Sequence, residues 1–185
     1  MERRFHYGVS GTPTVLFDGG LVAVGINPPP VIDRYRARID VQREVPAQIS
    51  LALEASYVPD LGSVRTRVRA SVADGEFIDE IGECRIRALL YENEVSAGGT
   101  FQHVVRTVFL DQSLTVETSG EEQETNASVA IEESWKPADL FMVAWVERSS
   151  NKQILQAARV PVGDPTPVIS TSWGRIKRSY GGSTN

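Results

Sequence analysis

The sequence has few of the side chains that bind metals or carry out redox chemistry. Its 185 residues include one cysteine, Cys84, and two histidines, His6 and His103. A single cysteine excludes an intramolecular disulfide, a CxxC redox pair and a thiolate zinc site. From these residues we predict no catalytic residue, no metal site and no cofactor.

Long apolar runs and an excess of positive charge are also missing. No apolar stretch approaches the ~20 residues that cross a bilayer, so we predict no transmembrane segment. The first four residues are not followed by the apolar stretch of a signal peptide. Lys and Arg total 19 against 24 Asp and Glu, which gives a net charge of −5. Nucleic-acid binding needs a basic surface, so we predict no nucleic-acid partner.

Residues 1–45 are predicted to form a β-hairpin and a helix. Residues 14–18 and 21–24 are apolar and β-branched, and Gly19-Gly20 between them allows the positive φ angles of a tight turn. After three prolines, the following apolar residues recur at helical spacing on a charged segment: Ile32, Tyr35 and Ile39. This pattern predicts a helix with one apolar face.

Residues 46–162 change to an alternating pattern that is typical of strands with one buried face. The alternating apolar positions include Ile49, Leu51, Leu53, Val64, Val68, Ala70, Cys84, Ile86, Ala88 and Leu90. Residues 140–146 are apolar on both faces and are predicted to form a central strand, and residues 101–108 and 154–160 complete about seven. We therefore predict a mostly β protein whose main domain is an immunoglobulin-like β-sandwich without the inter-sheet disulfide. Cys84 is predicted to face its core.

Residues 163–185 are predicted to be a linker and a flexible tail. Trp173, Ile176 and Tyr180 follow a Pro-rich stretch among basic residues. The tail has three interpretations: it docks on the sandwich, inserts into a partner, or serves as an export or anchoring signal.

Charged clusters offer further hypotheses. The arginines at positions 65, 67, 69, 85 and 87 either form a basic face for an anion or glycan, or pair with neighbouring carboxylates. The acidic groups at 74–80 and 121–124 are predicted to be solvated, with a Ca²⁺ site as the alternative.

A segment near the N-terminus resembles the second half of a thioredoxin fold. Gly8, Gly11, Pro13 and Thr14 match its Gly-x-x-Gly-x-Pro-Thr segment, and the predicted hairpin and helix follow in the right order. The resemblance implies that residues 1–45 are a truncated thioredoxin-like ββα unit. It also implies a cis-proline at Thr12-Pro13, whose backbone would bind a substrate, and a CxxC half that would lie upstream of Met1.

The whole arrangement is similar to bacterial outer-membrane or secreted lipoproteins with a thioredoxin-like and an immunoglobulin-like domain. This resemblance implies localisation in the cell envelope or outside the cell, and a chain that is a fragment of a larger protein. The first hypothesis is a non-catalytic extracytoplasmic interaction or structural module, with a protein partner or a second copy pairing through residues 14–24. The alternative is the C-terminal part of a thiol–disulfide oxidoreductase or thioredoxin-like chaperone. Carbohydrate binding by the sandwich is a third hypothesis.

Overall fold

The computed structural model describes residues 6–8, 14–24, 31–73 and 81–163. Its N-terminal elements are strands β1 (Thr14–Phe17) and β2 (Leu21–Val24) and helix α1 (Val31–Arg43). The strands that follow are β3 (Ile49–Val58), β4 (Ser63–Val72), β5 (Cys84–Glu92), β6 (Val95–Ser96), β7 (Thr100–Phe101), β8 (Val104–Ser113), β9 (Glu122–Ala130), β10 (Leu140–Arg148) and β11 (Ile154–Pro161). Short 3₁₀ turns at Pro59–Leu61 and Pro137–Asp139 precede β4 and β10.

Two antiparallel sheets enclose the core. A three-stranded sheet has the order β3-β4-β9, and a four-stranded sheet has the order β11-β10-β5-β8. The apolar strand β10 lies between β5 and β11, so the prediction of a central strand is confirmed. The chain is mainly β, as predicted.

The core forms where the inward-facing positions of both sheets meet. Leu51 and Val68 from the three-stranded sheet share one buried cluster with Ile86 and Met142 from the four-stranded sheet. The alternating pattern therefore identified the buried face of these strands correctly. Cys84 is fully buried in the same cluster, which confirms its predicted orientation.

The predicted strand over residues 101–108 is divided in the structure. Strand β7 ends at Phe101 and β8 begins at Val104, and His103 between them adopts a φ of 56°. A left-handed residue interrupts an extended strand, so the chain bends there, between the β6–β7 hairpin and β8. Residue pattern alone did not indicate this break.

The N-terminal hairpin forms as predicted, but its turn is displaced by one residue. Asp18 and Gly19, and not Gly19 and Gly20, adopt positive φ angles, of 48° and 72°. The amide of Gly20 donates to the carbonyl of Phe17 over 3.2 Å, which closes the turn. Asp tolerates the left-handed region better than most residues, which allows this register.

The hairpin turn contacts the edge strand of the four-stranded sheet. The amide of Ile154 donates to the carbonyl of Asp18 over 2.7 Å. A Cβ on Gly19 would lie 1.9 Å from the carbonyl oxygen of Lys152, so only glycine fits this position. The turn of the hairpin is thus fixed against the start of β11.

Helix α1 forms over the predicted segment, but most of its apolar face is uncovered in the described part of the chain. The ring of Tyr35 packs edge-on against Phe17 with centroids 5.6 Å apart. Ile32 and Ile39, from the same predicted face, are 55% and 47% exposed.

Candidate interaction surface on the four-stranded sheet

The outer face of the four-stranded sheet divides into an apolar half and a charged half. Strand register aligns Val105, Tyr91 and Phe141 in one row, and Val108, Leu89 and Val143 in the next. We call these six residues the apolar half. The two following rows contain Asp111, Arg87 and Trp145, and then Ser113, Arg85 and Glu147. We call these six residues the charged half.

Glu147 is the centre of the charged half. Its side chain is only 1% exposed, and its carboxylate has several polar partners. His6 Nε2 lies 2.7 Å from Oε1, and the Tyr7 hydroxyl donates to Oε2 over 2.7 Å. The indole Nε1 of Trp145 also donates to Oε2, over 3.5 Å. The register with β5, in which Glu147 lies opposite Arg85, places this carboxylate on the outer face of the sheet.

Charge and hydrogen bonding keep Glu147 ionised despite its burial. Burial alone would raise the pKa of this carboxyl group. The hydrogen bonds from Tyr7 and His6 and the charge of Arg87 outweigh burial and lower the pKa below its ordinary value. The buried carboxylate therefore holds residues 6–7 against the sheet.

Arginines extend this network across the sheet. Arg87 Nε lies 3.5 Å from Glu147 Oε1, and its NH2 group lies 3.5 Å from Asp111 Oδ2. Arg85 pairs with the same Asp111 through its Nε and donates to its backbone carbonyl. The charges of these side chains are thus balanced within the face.

The apolar half carries a stacked arginine. The guanidinium of Arg159 lies 4.1 Å from the ring centroid of Phe141 and 5.5 Å from that of Tyr91. The rings of Tyr91 and Phe141 are nearly parallel at 13°, and the ring of His103 lies 5.4 Å from that of Tyr91. Burial raises the pKa of Tyr91, and the charge and hydrogen bond of Arg159 offset part of this rise. The phenol therefore stays protonated at neutral pH.

Part of the apolar half is open to solvent in the described structure. Val105 is 53% exposed and Val108 is 40% exposed, on the edge strand β8. The two side chains lie in adjacent rows of the sheet, and apolar side chains grouped on a surface are typical of sites that contact a partner.

The outer face of the three-stranded sheet has a different character. Arg69 NH2 lies 3.0 Å from Glu54 Oε1, and Arg67 lies 3.4 Å from Glu54 and 3.6 Å from Glu124. The predicted pairing with carboxylates is thus confirmed for Arg67 and Arg69. Because β4 and β5 belong to different sheets, Arg85 and Arg87 lie on the opposite face, and the five arginines do not form one basic surface.

The other predicted site residues are placed as follows. Thr12 and Pro13 lie outside the described residues, as do the acidic segment 74–80 and the tail from residue 164. The thiol of Cys84 is fully buried and donates to the carbonyl of Gly82 over 3.3 Å. Burial raises its pKa to about 11, so it is a poor nucleophile.

The described residues contain neither a cluster of metal ligands nor a membrane-spanning helix. No group of three or more His, Cys, Asp or Glu side chains is arranged to hold a metal ion there. None of the helices in that part of the chain is long and apolar enough to span a membrane.

Sequence reasoning did not identify Glu147, His6, Tyr7 or Arg159 as members of one surface. One signal was present in the sequence: a carboxylate directly after the apolar run 140–146, where burial would require a partner. Tyr7, one of its partners, is 140 residues away in the chain, and no local pattern indicates that contact.

The fold places the chain among mainly β proteins that are built from two packed antiparallel sheets. No protein-family model matches the sequence, and no curated protein matches it either. The structure is similar to a domain of the outer membrane lipoprotein Omp28 from Porphyromonas gingivalis, with a TM-score of 0.51 and 16% sequence identity. That match covers 65% of this chain and 93% of the solved domain, so the likeness concerns the fold.

A second solved structure is a β-glucosidase from Kluyveromyces marxianus in complex with glucose. It is 14% identical, and the match covers 70% of this chain and 16% of the enzyme. Its TM-score of 0.32 is too low to support a shared fold.

Proposed function

We propose that this protein is a non-catalytic interaction module of the cell envelope or the extracellular space. It binds a protein partner through the apolar half of the four-stranded sheet. The observation that carries the proposal is the contrast between the two outer faces: one is covered by ion pairs, whereas the other exposes Val105 and Val108 beside stacked aromatic rings. Aromatic residues and arginine are enriched in the centres of protein interfaces, and this surface has both.

The proposed location is supported by the Omp28 likeness and by the resemblance of the N-terminal segment. We also interpret the two-sheet domain as immunoglobulin-like, because three strands oppose four in antiparallel order. The order of β1, β2 and α1 supports a thioredoxin-like origin for residues 1–45. Sequencing the DNA upstream of the Met1 codon tests that origin. An in-frame extension that encodes a CxxC motif would support it, and with it the oxidoreductase alternative.

Site-specific photo-crosslinking tests the proposed binding face. A photoreactive phenylalanine replaces Val108 in one variant and Ser128 in the other, and both variants are expressed in intact cells. Ser128 is an exposed residue of β9, on the opposite sheet, and serves as the matched control. We expect a discrete adduct in the envelope or secreted fraction from position 108 only, and its loss when Val105→Asp is added. Equal adducts from both positions, or none from position 108, would contradict the proposal.

An insulin assay tests the statement that the chain is non-catalytic. The purified protein is added to insulin and dithiothreitol, with Cys84→Ala as the control. We expect identical rates of disulfide reduction, because the Cys84 thiol is buried and protonated. Faster reduction by the wild-type protein would show that the thiol participates in exchange.

A further inference from the structure

Arg159 differs from most arginines of the two sheets in its partners. Those at positions 67, 69, 85, 87 and 106 each have a carboxylate within 4 Å. No carboxylate of the described residues lies within that distance of Arg159, whose contacts there are the rings of Phe141 and Tyr91. Its positive charge is therefore not neutralised by an ion pair within that part of the chain.

The aromatic contacts orient this charge. Stacking at 4.1 Å on Phe141 orients the plane of the guanidinium, and the ring of Tyr91, whose centroid is 5.5 Å away, packs beside it. A guanidinium that is already ordered loses less side-chain entropy on binding than a free one. Its N–H groups suit an oxygen anion, and above all a carboxylate.

The surroundings indicate what kind of anion fits. Next to Arg159 the face is apolar, with Leu89 and Val143 in its own row and the exposed Val108 at the end of that row. A nucleic acid or an anionic membrane would require several cations on one surface, whereas Arg159 is the single cation of its row. A peptide with an acidic residue next to apolar ones matches both the charge and the apolar surface.

Building on the proposed function, we propose that Arg159 anchors the carboxylate of an acidic, apolar peptide segment of the partner. Val105 and Val108 contact the apolar side chains of that segment. The ligand is thus an apolar peptide with one carboxylate, which is either an Asp or Glu side chain or the free C-terminus of the peptide.

A random dodecapeptide library displayed on phage tests the inference on the full chain. Selected peptides are synthesised and titrated against the wild-type protein and against Arg159→Gln and Arg65→Gln. Arg65 is the matched control, since it is an exposed arginine of the opposite face with Ser56 and Ser128 as its cross-strand neighbours. Val105→Asp reports whether a peptide binds the apolar half at all.

We expect the selected peptides to contain an acidic residue beside apolar ones and to lose at least about tenfold in affinity with Arg159→Gln, which is the size of one lost charged hydrogen bond. Arg65→Gln is expected to change nothing. Peptides that lose affinity with Val105→Asp but not with Arg159→Gln would overturn the inference and leave the proposed function intact. If no selected peptide responds to Val105→Asp, both proposals fail. Anionic vesicles serve as a second probe. If the wild-type protein binds them through Arg159 more tightly than it binds any selected peptide, the inference is also overturned.

Discussion

The two outer faces of this protein use arginine in opposite ways. On the three-stranded sheet, Arg67 and Arg69 pair with the half-exposed carboxylate of Glu54. On the four-stranded sheet, Arg87 lies against the buried carboxylate of Glu147, and Arg159 stacks on aromatic rings. Arginine therefore forms exposed ion pairs on the three-stranded sheet. On the four-stranded sheet it stabilises a buried carboxylate in the charged half and presents a positive charge beside the apolar half.

Burial explains why these contacts differ in energy. The Arg69–Glu54 pair has side chains that are 38% and 42% exposed, and water screens such pairs. Glu147 is 1% exposed, so each partner that it loses leaves an uncompensated polar group. Removing a carboxylate from each face and comparing the losses in unfolding free energy therefore distinguishes the two faces.

The largest effect is expected from Glu147→Ala. This change leaves Arg87 without its buried partner and removes the acceptor for Tyr7, so the free energy of unfolding should fall by ~3 kcal/mol. Glu54→Ala, on the other face, should cost less than ~1 kcal/mol. Urea denaturation of both variants measures the difference. Equal losses would show that the two faces do not differ in the way described.

The next largest effect is expected where the hairpin contacts the four-stranded sheet. In Gly19→Ala, a Cβ would collide with the carbonyl of Lys152 at a φ of 72°. Strain of this kind costs ~2 kcal/mol, so the hairpin turn should separate from β11. Hydrogen exchange at the Ile154 amide, which donates to Asp18, reports this separation directly.

Gly20→Ala is the matched control for that experiment. A Cβ at Gly20 meets no atom within 4 Å, and we expect no loss of protection at Ile154. Unchanged exchange in Gly19→Ala would mean that the hairpin does not depend on this contact.

Acid should lower the free energy of unfolding by protonating Glu147 in the charged half of the four-stranded sheet. This loss should be smaller than the loss caused by Glu147→Ala. The pKa of Glu147 is lowered in the folded state, so the unfolded state binds more protons in acid. The stabilisation is thus present above the ordinary pKa of 4.5 and is lost as the pH falls through the lower folded value. Unfolding free energies from about pH 6 to about pH 2 measure it. Relative to Glu147→Gln, the wild type should lose stability over this range, and a constant difference would contradict the assignment.

The fold was more predictable from sequence than the surface was. Alternation at Leu51, Val68 and Ile86 records burial directly, because each strand must turn one face to the core. The run 140–146 indicated a central strand for a different reason, since it is apolar on both faces. The one-residue displacement of the hairpin turn and the break at His103 were not predicted, because both depend on backbone angles that several sequences can adopt.

The candidate surface depends on contacts between distant parts of the chain. Arg85 and Arg87 were identified as a possible functional group, but the sequence pattern grouped them with Arg67. The structure places the two groups on different sheets, because β4 and β5 belong to different sheets. Local alternation of apolar residues does not indicate which strands are neighbours. Arg159 lies in an ordinary alternating strand, and its significance comes from Phe141 on the neighbouring strand.

The smallest expected effect concerns salt. A double-mutant cycle on Arg69 and Glu54 should give a coupling free energy of ~0.5 kcal/mol at low ionic strength. At ~1 M salt the screening length falls to about 3 Å, so this coupling should approach zero. The corresponding cycle on Arg87 and Glu147 should keep its value, because their side chains are only 14% and 1% exposed and salt screens buried pairs weakly. If both couplings fall in parallel, water reaches Glu147, and the two faces differ in composition but not in solvation.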